Sequence, residues 1–71
     1  MTQMVHAARH GGCCTFEDIA ALTGRHVNTV KGWASGTKAH PGSTYEMRMA
    51  ILKMPHYRRN MTLVALSEQH N

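Results

Sequence analysis

Asn28 and Lys31 are the two side chains whose types and spacing best suit chemistry on a partner. An amide sets a donor beside an acceptor, and an ammonium adds a compact positive charge. Three residues apart on a helix, they share one face. Such a pair recognises hydrogen-bonding edges and anions; it breaks no bonds. Groups that do break bonds are scarce. The carboxylates are Glu17, Asp18, Glu46 and Glu68, and the first two fall at a helix start. Cys13 and Cys14 have no identifiable base, and the histidines are scattered. Catalysis needs nucleophile, acid and base in defined geometry, so no enzyme is expected. His6, His10 and the two cysteines lack the paired C-x-x-C spacing of zinc modules. No metal or cofactor is expected, and adjacent cysteines rarely bridge each other.

Asn28 and Lys31 face outward together only if the other side of their helix is held down. At 100° per residue, Val30 and Trp33 define a buried side, and Asn28, Lys31, Gly32 and Ser35 fall opposite, with Val27 at the edge. The helix is expected from His26 to Ala34, ended by Ser35-Gly36. Before it, Thr15 reads as an N-cap with Asp18 three residues on. Phe16, Ile19, Ala20 and Leu22 then make an apolar stripe. Ala20 is small where two helices would approach, and Gly24 tolerates the positive φ of a tight turn. Together these features describe a helix-turn-helix over residues 15–36.

The remaining segments supply support. A first helix is expected over Thr2–Arg9, with Met4, Val5 and Ala8 inward, ended by Gly11-Gly12. Residues 37–42 read as a loop, after which Ser43 or Thr44 caps a fourth helix. That helix turns Met47, Ala50, Ile51 and Met54 inward, and Pro55 closes it. His56–Arg59 is polar and basic. Residues 61–69 read either as a helix capped by Asn60, burying Leu63, Val64 and Leu66, or as a short strand pairing with a second copy. No turn signal accompanies a partner strand, which favours helix. Seventy-one residues make one domain, residues 1–71, with a modest core.

Eight Lys and Arg against four Asp and Glu give a net charge of +4. That balance suits a polyanionic partner, nucleic acid or an anionic membrane. No stretch approaches the ~20 apolar residues of a membrane span, and no secretory leader is evident. A cytoplasmic protein without a membrane partner or small-molecule substrate is expected.

The run from Asp18 to Gly36, ending Trp33-Ala-Ser-Gly36, resembles the helix-turn-helix of phage Cro and CI repressors and their bacterial relatives. The resemblance covers about 30 residues. It implies an all-α, compact four- or five-helix domain of the lambda-repressor-like type that binds an operator in double-stranded DNA. It further implies a homodimer that represses its own phage-type operon, and small anti-CRISPR-associated autorepressors are of similar size. By that resemblance Val27, Asn28, Lys31 and Gly32 enter the major groove. Asn28 suits adenine, Lys31 guanine or phosphate, and Val27 a thymine methyl. Thr15 and Phe16 would offer helix N-terminal amides to a phosphate, with Arg25, Thr29, Ser35, Thr37, Lys38 and His40 nearby. Arg58 and Arg59 either reach a flanking phosphate or lie away from DNA. Residues 55–71 are the expected dimerisation segment, being apolar, terminal and outside the helix-turn-helix core. The competing reading is a protein-interaction module, an antirepressor or inhibitor docking through the same hairpin.

Overall fold

Thr15 starts the central helix by a reciprocal cap. Its hydroxyl accepts from the Asp18 amide at 3.0 Å, while the Asp18 carboxylate accepts from the Thr15 amide at 3.0 Å. The computed structural model describes residues 1–69, and all its regular elements are helical. These are α1 (Thr2–His6), α2 (Phe16–Thr23), α3 (Val27–Ala34), α4 (Pro41–Lys53) and α5 (His56–Gln69). Helix α1 runs on as a π-helical extension, Ala7–Gly11. His70 and Asn71, the end of the expected dimerisation segment, lie outside the described residues. Among those described, no helix is long and apolar enough to cross a membrane.

The core gathers one apolar stripe from each helix. Val5 and Ala8 from the first helix, Ile19 from α2, Val30 and Trp33 from α3, and Met47, Ile51 and Met54 from α4 are all buried together. Leu66 of α5 lies against them. Helix α3 packs on α1 and α2, while α5 packs on α1, its extension and α4.

Three expectations are corrected. Helix α4 starts at Pro41, with His40 as N-cap, rather than after Ser43 or Thr44. Proline at the first helical position lacks only an N–H that would be orphaned anyway, and its φ is already helical. Helix α5 is continuous from His56, so His56–Arg59 form its first turn and Asn60 is interior. The Asn60 amide lies 3.1 Å from the His56 ring one turn earlier. Leu63 and Val64 are exposed; Thr62 is fully buried in their place. The Thr62 hydroxyl donates to the Arg58 carbonyl at 2.8 Å, which removes the cost of burying it.

Gly11 and Gly12 end the extension as expected, but their larger role is contact with α5. A Cβ on Gly12 would sit 2.3 Å from the Thr62 hydroxyl and 2.9 Å from the Ala8 carbonyl. One on Gly11 would meet the Ala65 Cβ at 2.7 Å and the Met61 carbonyl at 2.8 Å. Close approach of α5 therefore requires two residues without side chains. Gly12→Ala should lower stability by about 1–3 kcal/mol through overpacking. Urea unfolding with an unchanged midpoint would show that α5 does not seat on this seam.

Candidate nucleic-acid interface

Side chains fix both ends of α3, a local cap at its start and two residues of α1 at its end. At its start His26 is the N-cap, and its Nδ1 accepts from the Asn28 amide at 3.1 Å. Gly24 precedes it at φ 71°, with its amide donating to the Ala20 carbonyl at 2.9 Å. Nothing lies near a Cβ at Gly24, so dihedral freedom alone explains the glycine there. At the far end Gly36 takes φ 101°. Its amide donates to the Trp33 carbonyl, and that of Thr37 to the Gly32 carbonyl at 2.9 Å, a Schellman closure. From α1, the Thr2 hydroxyl donates to the Trp33 carbonyl at 2.7 Å, and His6 Nε2 donates to the Ala34 carbonyl at 3.1 Å.

With Val30 and Trp33 buried beneath, Asn28 and Lys31 stand exposed on the opposite side. Val27 is half-buried at the helix start, and Thr29 is exposed at the flank. The sequence-predicted residues divide into two groups. Arg25, Asn28, Thr29, Gly32, Lys38 and His40 line one open groove of about 420 Å³ between α3 and the segment leading into α4. Lys31 stands at the other edge of the same outward face, its Nζ 6.0 Å from the centre of the Phe16 ring, next to Thr15 at the start of α2. Ser35 is spent on the backbone, where its hydroxyl donates to the Lys31 carbonyl at 3.0 Å.

Two cations are engaged within the fold. Arg25 forms a two-point ion pair with Glu46 of α4; these hydrogen bonds and the adjacent charge raise its pKa further. Arg58 reaches Asp18 at 3.5 Å, which puts it beside the N-terminus of α2. Arg9 was not anticipated as part of the site. Its guanidinium stacks over Phe16, 4.0 Å from the ring centre, and its Nε is buried without a partner. Only its position at the basic end of the first helix hinted at this, since contact with Phe16 is tertiary. Arg9, Lys31 and Arg58 thus surround the first turn of α2 with positive charge.

The cysteines are free thiols, Cys13 exposed and Cys14 buried. Burial raises the Cys14 pKa, against the opposing influence of Arg58. Cys13 adopts φ 57°, a left-handed conformation strained for a residue with a side chain. Among the described residues, no three His, Cys, Asp or Glu side chains gather as metal ligands. Comparison with protein-family models, curated proteins and solved structures finds no match for the chain.

Hydrogen bonds from the Thr15 backbone and hydroxyl, then the Arg58 charge, hold the Asp18 carboxyl below its ordinary pKa. A depressed folded-state pKa gives stability present above the unfolded value and lost as pH falls through the folded one. Melting temperature should therefore drop below about pH 4, and drop less in Asp18→Asn. Identical acid profiles for the two proteins would remove Asp18 from that transition.

Proposed function

We propose that this chain is a sequence-specific DNA-binding transcriptional regulator. It acts as a homodimeric repressor of its own phage-type operon, in the manner of the Cro and CI repressors whose helix-turn-helix it resembles. The observation carrying this reading is the joint exposure of Asn28 and Lys31 on the face of α3 opposite Val30 and Trp33. An amide and an ammonium on one outward helix face match the edges of bases in a major groove. The surrounding charge supports the same reading, because Arg9, Lys31 and Lys38 flank that face and the chain carries +4 overall. A phosphate backbone is the complementary surface. One recognition helix makes few base contacts, so a palindromic operator with half-sites about 34 Å apart is the target. Such a regulator works in the cytoplasm.

Gly32 has a distinct part. A Cβ there would meet only Thr37, at 3.4 and 3.7 Å, which is ordinary contact. The fold does not need glycine at this position, and its absence of side chain serves close approach of a duplex. Gly32→Ala should gain up to ~1 kcal/mol of stability yet bind DNA more weakly.

Fluorescence anisotropy on duplexes selected from a random pool tests the proposal. Asn28→Ala and Lys31→Ala should each cost about 1–3 kcal/mol of specific binding with melting unchanged. Wild-type affinity should also fall steeply with salt as counterions are released. Equal affinities for wild type and both variants, or salt-independent binding, would sink it; the latter would favour apolar docking to a protein.

A further inference from the structure

Helices α1, α4 and α5 do not close completely on one another. Between them lies an open groove of about 460 Å³, towards the lower end of the ~300–1,000 Å³ of small-molecule sites. Its floor is aliphatic: Met4 of α1, Ile51 of α4 and Leu66 of α5 line it, and all three belong to or pack against the core. Leu52 and Leu63 border it and are otherwise left 54% and 44% exposed. The groove thus stands apart from α2 and α3, on the other side of the proposed DNA surface.

The polar groups beside that floor say what covers it. Thr44, Arg48, Ile51 and Leu52 all line the groove, and their spacing puts them on one face of α4. Arg48 stands one turn, about 6 Å along the axis, before Leu52, at the edge of the aliphatic stretch. Among the described lining residues it carries the one charged side chain. The ion pairs among the described residues take Arg25 and Arg58 and leave Arg48 without a carboxylate. The Gln3 amide borders the groove as well and adds a neutral donor. A planar guanidinium matches the two oxygens of a carboxylate. Flexible Met and Leu side chains match an alkyl chain, and the described lining includes no aromatic ring on which a planar ligand could stack. Nor does it include a carboxylate, cysteine or histidine, so the groove holds a ligand without transforming it.

We propose that this groove binds a free medium-chain carboxylate, its anionic head on Arg48 and its alkyl chain along Ile51, Leu63 and Leu66. The head gains a charge-assisted, two-point hydrogen bond. The tail takes the exposed edges of Leu52 and Leu63 out of water. Because the groove is open to solvent and the ligand small, the dissociation constant is on the order of 1 mM.

Titrating the isotope-labelled full chain with sodium octanoate, at constant ionic strength and without DNA, tests it. Amide shifts at Met4, Arg48, Leu52, Leu63 and Leu66 should move together and saturate. Sodium acetate, which has the head without the tail, should leave them in place. Octan-1-ol, which has the tail without the charge, should bind at least ~10-fold more weakly. Arg48→Gln should weaken octanoate at least ~10-fold, with octan-1-ol binding and melting temperature unchanged because Arg48 is exposed. Leu63→Ser should weaken both ligands. A spectrum unmoved by octanoate overturns the proposal, as do shifts that never saturate or that centre on Tyr57 and Val64 outside the groove. Equal binding of octanoate and octan-1-ol, or an Arg48→Gln chain that binds octanoate like wild type, also overturns it, and would fit an uncharged apolar occupant instead. Because the titration contains no duplex, its failure leaves DNA binding to be judged by anisotropy, and its success does not establish it.

Discussion

Trp33 and Val30 have to be out of water, and that requirement fixes which side of α3 a partner can reach. They sit in one cluster with Ile19 from α2 and Val5 from α1. Burying a side chain the size of Val30 or Ile19 stabilises the fold by about 1.5–3 kcal/mol, so rolling α3 about its axis would forfeit several such contributions together. Hydrogen bonds reinforce the setting. The Trp33 and Ala34 carbonyls accept from Thr2 and His6, while His26 caps the other end. With one face anchored and both termini capped, Asn28 and Lys31 have no choice but to point outward.

A second constraint acts on the far side of the molecule. The Gly11-Gly12 seam admits α5 so closely that Thr62 is buried against backbone. Helix α5 in turn carries Arg58 to the first turn of α2, and the extension of α1 carries Arg9 over Phe16. The positive charge around the start of α2 thus depends on elements distant from it in sequence. The two faces divide by chemistry: polar and cationic around α2 and α3, apolar on α4 and α5.

Much of the α2–α3 unit was legible because its signals are local. Thr15 with Asp18, Gly24 after Thr23, and Val30 with Trp33 act within a turn or two, where capping and helical periodicity determine structure directly. The exposure of Asn28 and Lys31 followed from the same period. The later helices were harder to read. Pro41 resembles loop punctuation until it is seen as a first helical residue, and His56–Arg59 resembles a linker because that first turn is polar. Residues 61–66 are apolar at almost every step, so periodicity could not choose a buried face. The core takes Thr62 because its hydroxyl is satisfied within its own helix. The Arg25–Glu46 pair and the stacking of Arg9 on Phe16 join residues far apart in the chain, and no spacing encodes them.

The central claim is that the outward face of α3 is where DNA docks. Amide chemical-shift mapping of the isotope-labelled chain, titrated with a selected duplex at low salt, tests it most directly. The account predicts the largest changes at Val27, Asn28, Lys31 and Gly32, with further changes at Thr15 and Phe16 and small ones on the exposed face of α4. A spectrum that does not respond to any duplex, or whose largest changes fall on α4 while α3 stays silent, would contradict it.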